Sequence, residues 1–159
     1  KHISLDEVAS GTATVIFFIC NHCPFVKHII DKLVEVGDEY IPQDISFVAI
    51  SSNDIQEYPE DSPQNMKDWA EIKEFPFPYL YDETQEVAKA YGAVCTPDFF
   101  VIDGDRKVVY RGRFDASSPG KDTPVTGEEL INVLEAIKKG EPVPRDQVPS
   151  MGCNIKWKK

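Results

Sequence analysis

The sequence predicts an α/β fold: a central mixed β-sheet with helices packed on both faces. Three observations carry that prediction. A β-branched and aromatic run over residues 12–19 is followed at once by apolar residues at helical spacing. A second short apolar run spans residues 45–50. After Thr96-Pro97 come two apolar runs around an Asp-Gly turn, then an amphipathic helix. At 159 residues with 42% hydrophobic content, the chain can bury one sizeable core. The expectation is a single domain over 1–159 that ends in a proline-rich tail, 141–159.

Each element has its own signal. After the first strand, Val26, Ile29, Ile30, Leu33 and Val34 recur at helical spacing from Pro24 to Gly37, where the helix is expected to stop. The run 45–50 is a second buried strand, and residues 51–61 read as a polar loop leaving the sheet. Ser62-Pro63 is an N-cap followed by proline at the first helical position, with Met66, Trp69 and Ala70 as the apolar face. The prolines of 75–81 exclude a central strand. Asp82 with Gln85 forms a capping-box pattern before Val87, Ala88 and Tyr91, and Gly92 ends that helix. Residues 99–102 and 108–110 flank Asp103-Gly104-Asp105 as a hairpin. Thr126 and Glu129 form a second capping-box pattern, before Leu130, Val133, Leu134 and Ile137, and Gly140 is the stop.

A formal net charge of −10 repels phosphate backbones and anionic bilayers, so nucleic acid and membranes are poor partners. No apolar run approaches the ~20 residues of a spanning helix, and the first residues, Lys1 to Leu5, carry no signal-peptide pattern. A soluble cytoplasmic protein, a monomer or weak dimer with no membrane insertion, is the expectation.

Chemistry concentrates at Cys20-Asn21-His22-Cys23, a C-x-x-C at a strand-to-helix junction. Cys20 should end the strand as the exposed sulfur, with Cys23 beneath it in the first helical turn. The helix N-terminus favours a thiolate there. Cys20 is then the nucleophile toward a disulfide, and Cys23 resolves the mixed disulfide. An imidazolium at His22 would stabilise the Cys20 thiolate and make the couple more oxidising. If the Thr96-Pro97 bond is cis, the Thr96 backbone is exposed for strand-like pairing with a substrate; the alternative is a trans proline at a strand start.

Cys95 and Cys153 are candidate accessory thiols. Cys95 is either a third redox thiol or a small buried hydrophobe, and the second is favoured. Cys153 either swings to the site as an extra resolving thiol or sits inert on an added edge strand, and the inert reading is favoured. Trp69, Phe77, Tyr81, Tyr91 and Phe99 are assigned to packing, the acidic run 57–61 to a solvated loop, and His2 and His28 to no role. No cofactor is called for. A structural zinc module is a rival of another class, but Cys95 and Cys153 are single and distant in sequence. A c-type haem is excluded because Pro24, and not His, follows Cys23.

On these residues the chain resembles the thioredoxin superfamily, and within it the redoxin branch of thiol-disulfide oxidoreductases and peroxiredoxins. The resemblance rests on Cys20-x-x-Cys23 after the strand, on Thr96-Pro97 at the family's cis-proline position, and on the hairpin and final helix. The surplus between the second strand and Pro97 is typical of that branch. More narrowly, the stretch from Cys20 to His28 and the ending Gly152-Cys153-Asn154-Ile155-Lys156-Trp157 look like a bacterial thioredoxin-like group. The resemblance implies a thioredoxin fold. It also implies exchange with disulfide- or dithiol-bearing proteins and an upstream thiol reductant. Two departures matter. Thr14 stands where thioredoxins bury a proton-accepting acid, leaving Asp54 as the nearest replacement. Phe17 stands where peroxiredoxins place a peroxide-binding Thr, which weakens the peroxidase alternative.

Overall fold

Strand β1 (Ala13–Phe18) is buried at every position, because it lies at the centre of the sheet and packs on both faces. In the computed structural model, which describes residues 3–159, the sheet order is β3-β2-β1-β5-β6. Strands β2 (Ile45–Ser51) and β3 (Tyr79–Tyr81) run parallel to β1 and to each other in turn. Strands β5 (Asp98–Asp103) and β6 (Val108–Gly112) continue the sheet antiparallel on the other side. The five-stranded mixed sheet has the thioredoxin fold. The prolines of 75–81 are compatible with it because β3 is an edge strand.

Strand alternation divides the core in two. Val15, Phe17, Phe47, Phe99 and Val101 face helices α2 (Pro24–Tyr40) and α5 (Glu128–Lys138) through Val26, Ile30, Leu33, Leu130 and Leu134. Ile16, Phe18, Val48, Phe100 and Ile102 face the opposite way, toward Ala88 and Tyr91 of α4 (Glu86–Tyr91) and Ile155 of the tail. Two shorter helices, α1 (Leu5–Val8) and α3 (Pro63–Ile72), complete the layers.

Several local expectations need correction. Gly37 does not stop α2, which runs on to Tyr40. A Cβ there would lie 3.3 Å from Pro76 and Phe77, so the glycine permits close packing of the 75–81 segment. Neither proposed capping box forms. Asp82 caps α4 by accepting from the Val87 and Ala88 N–H groups, while Gln85 turns to the tail. At α5, Thr126 Oγ1 accepts from Glu128 N–H, and Glu129 pairs with Arg113 at 2.7 Å. Ser62 does cap α3, accepting from Asn65 N–H.

Residues 153–158 form a docked segment. Strand β7 (Cys153–Asn154) pairs antiparallel with β4 (Cys95–Thr96), placing Cys153 opposite Thr96 and Asn154 opposite Cys95. Gln85 Nε2 donates to the carbonyls of Ser52 and Lys156, and its Oε1 accepts from Lys158 N–H. Lys156 N–H donates to Asn53 Oδ1, and its carbonyl accepts from Asp54 N–H. Ile155 is buried. Among the described residues no helix is long and apolar enough to cross a membrane, and His2 lies outside those residues.

Candidate active site

The turn after β1 brings Cys20 and Cys23 together at the start of α2. Cys23 is the N-cap and Pro24 the first helical residue, where a missing N–H costs nothing. The Thr96-Pro97 peptide is cis. Cys20 Sγ lies 3.6 Å from Thr96 Oγ1, and Cys23 Sγ lies 3.4 Å from the Thr96 carbonyl, an acceptor for its proton when it is a thiol. Cys20, Cys23, Thr96 and Pro97 therefore meet at one point. All four cysteines are free thiols.

The exposed thiol expected at Cys20 is not found. Cys20 is 1% exposed and Cys23 fully buried; the 58–61 turn is stitched to the adjacent Asn21, and Cys153 lies against Cys23. Asn21 Nδ2 donates to the Glu60 carbonyl, Asn21 N–H donates to Asp61 Oδ1, and Tyr79 Oη donates to Asn21 Oδ1. The charge is also placed differently. The thiol of Cys20, bonded to Cys23, holds Cys23 down at about 4 against the upward pull of burial; Cys153, Thr96 and the Val26 N–H add to it. Cys20 goes the opposite way. Its bond to Cys23, its burial and the Asp61 carboxylate all push its thiol well above the ordinary range. The Cys20 thiol is thus the chief group holding Cys23 down, and the Val26 N–H at the helix N-terminus adds the least.

The sequence reading missed Asp61. It belongs to a 3-10 turn (Pro59–Asp61) and is completely buried, so the run 57–61 is not wholly a solvated loop. Its oxygens accept from Asn21 N–H at 2.8 Å and Asn53 Nδ2 at 2.9 Å. Asp54, the candidate acid, is buried but accepts from Gln56 N–H. A usable signal was present: Pro59 and Ser62-Pro63 pin a turn at the end of a short loop leaving a buried strand, and such a loop returns to the C-terminal edge of the sheet.

His22 faces Asp61 before it faces Cys20. Its Nδ1 approaches Asp61 Oδ2 at 2.7 Å, without hydrogen-bond alignment, and its ring stacks on Tyr58 at 6.0 Å. Lys156 Nζ covers the Tyr58 ring at 5.6 Å. A positive charge on His22 offsets the Asp61 charge that opposes a Cys20 thiolate. His22→Ala is expected to raise the Cys20 pKa further. The check is a slower alkylation of Cys20 at a fixed alkaline pH.

Cys95 is buried, its thiol donating to the Pro97 and Ser150 carbonyls and pushed up to about 12 by burial and by Asp98. Its burial is as the buried-hydrophobe reading expects. Cys153 sits on an added edge strand, as expected, and its Sγ lies 2.7 Å from Cys23 Sγ. The same strand occupies the Thr96 backbone, which is therefore not open to a substrate strand as expected. Ligand atoms of Cys20, His22 and Asp61 lie within 4.8 Å of one another. The Asp61 oxygens are already committed to Asn21 and Asn53, which disfavours a metal there.

A thioredoxin fold with paired cysteines at the first helix cap and a cis-proline beside them defines a redox protein of the thioredoxin superfamily. The chain belongs to the AhpC/TSA family, whose pattern matches residues 1–111, in the redoxin branch; α5 and the docked tail lie beyond that match. No curated protein matches the chain. An uncharacterized conserved protein from Geobacillus kaustophilus is 60% identical with a TM-score of 0.97, over 98% of this chain and 82% of that one. A hypothetical protein from Sinorhizobium meliloti is 44% identical with a TM-score of 0.96, over 98% and 85%. A secreted Mycobacterium tuberculosis disulfide oxidoreductase homologous to E. coli DsbE shares the fold at 17% identity and a TM-score of 0.61, over 80% and 83%.

Proposed function

We propose that the chain is a thiol-disulfide oxidoreductase, exchanging a Cys20–Cys23 disulfide or dithiol with protein or small-molecule disulfides and re-reduced by an upstream thiol. The observation that carries this reading is the convergence of both sulfurs at the α2 cap beside Thr96. In the reduced pair, Cys20 keeps its proton and Cys23 holds the charge. As Cys20 attacks a substrate disulfide, its proton passes to Cys23 and one substrate sulfur leaves as a thiolate. Cys23 then gives the proton to that leaving group and attacks Cys20 Sγ. This forms the internal disulfide and releases the second substrate thiolate.

Family membership also supports thiol-dependent peroxide reduction as a second reading. Against it, Phe17 is fully buried and stacked on Phe99 at 5.5 Å, with Phe77 edge-on at 5.1 Å. It offers no hydroxyl to a peroxide. The test compares insulin or glutathione-disulfide exchange with hydrogen peroxide consumption. Exchange is expected to dominate, and insulin exchange to fall to background in Cys20→Ser; fast peroxide turnover that survives loss of Cys23 would reverse the assignment.

A further inference from the structure

The exchange reading leaves a physical difficulty. With Cys20 and Cys23 buried, a substrate disulfide reaches Cys20 only when the site opens, whereas a partly exposed sulfur in contact with the pair gives a small reductant a route that needs no opening. Cys153 is partly exposed and touches Cys23. Its position is built. Its strand pairs with Thr96, and Ile155 is buried two residues on. A Cβ on Gly152 would lie 1.9 Å from the Thr96 carbonyl oxygen, so only glycine lets the strand approach this closely. The sulfur separation of 2.7 Å is within about 1 Å of the ~2.05 Å of a disulfide bond.

We propose that Cys153 is a third redox thiol of this centre, forming a Cys23–Cys153 disulfide through which small monothiols such as glutathione re-reduce the buried pair. The proposal rests on the exchange function above. The Cys153 thiolate attacks Cys23 Sγ in the Cys20–Cys23 disulfide; the Cys23–Cys153 bond forms as the Cys20–Cys23 bond breaks. Cys20 leaves as a thiolate and takes up the proton that Cys153 lost, so no electrons are gained or lost. An outside monothiolate then attacks Sγ of the partly exposed Cys153 and displaces Cys23. A second monothiolate attacks the outer sulfur of that mixed disulfide, releasing the oxidised monothiol and the Cys153 thiolate, which is protonated from solvent. Two monothiols thus supply the two electrons. Cys23, whose thiolate is stabilised chiefly by the Cys20 thiol, is a good leaving group in the displacement.

The test oxidises the whole protein with glutathione disulfide, quenches it in acid, blocks free thiols and maps disulfides by mass. Wild type is expected to contain Cys23–Cys153 beside Cys20–Cys23, and Cys20→Ser to contain Cys23–Cys153. Cys153→Ser should keep Cys20–Cys23 and be re-reduced by glutathione about tenfold more slowly. Gly152→Val, which retains every sulfur but displaces β7, should show the same slow re-reduction. Oxidised wild type holding only Cys20–Cys23, or an unchanged re-reduction rate in Cys153→Ser, overturns the third thiol while leaving the exchange function standing. Wild type that forms no internal disulfide overturns both.

Discussion

Cys23→Ser is expected to abolish the thiolate absorbance of the reduced protein near neutral pH and to cut disulfide exchange by about 10²–10⁴-fold, the range of a lost proton acceptor. Cys23 is where the charge resides, held at about 4 by the Cys20 thiol, Cys153, Thr96 and the helix cap. In wild type the 240 nm signal should disappear only on acidification toward that value. Below the ordinary thiol value of 9.0 and above about 4, the reduced pair carries one proton. The reduction potential should then fall by about 30 mV per pH unit, half the slope of two protonated thiols. Stability of the reduced form follows the same groups. The contribution of Cys23 is full above 9.0, declines as pH falls and is gone below about 4. That of Cys20, whose pKa is raised, is full below 9.0 and is lost as pH rises above it. Reduced protein is therefore expected to be most stable, with respect to this pair, near pH 9. A thiolate signal that survives Cys23→Ser would move the charge to Cys20.

Asp61→Ala is expected to destabilise the fold by about 3–5 kcal/mol, the cost of removing one partner from a buried charged cluster. The carboxylate is completely buried and is the acceptor for Asn21 N–H and Asn53 Nδ2, with His22 against it. Its removal leaves buried donors unsatisfied, each a further penalty. Urea titration measures the loss. Asp61→Asn keeps the shape and removes the charge, so it should lower the Cys20 pKa, since the carboxylate is one of the groups that raise it. Alkylation of Cys20 followed against pH separates the electrostatic role from the structural one: a merely structural Asp61 would leave the Cys20 titration unchanged in Asp61→Asn.

Elements carried by local pattern were readable from sequence. The β-branched run before Cys20, the Ser62-Pro63 start and the Asp-Gly hairpin each encode their conformation within a few residues. So was the meeting of Cys20, Cys23, Thr96 and Pro97, because a strand-to-helix junction and the resemblance fixed both halves. Asp61 was not readable as buried: in sequence it ends an acidic run, and only the return of its loop to the sheet edge covers it. An added edge strand at Cys153 was expected, but the register of β7 was not readable. Two residues cannot show an alternation, and their register is set by partners far away, Gln85, Asn53 and Thr96. The pKa order of the cysteines reversed for the same reason, since it depends on the hydrogen bond between the two sulfurs and on which of them faces Asp61.

The docked tail also makes the composition of the centre depend on an intact peptide link far from it. Residues 141–149 form no helix or strand and are largely exposed, the kind of segment where proteases cut. A single cleavage there would leave the five-stranded sheet covalently whole. It would also turn a three-sulfur centre into a two-sulfur one on release of the tail, and bare the backbone edge of β4 for pairing with another chain.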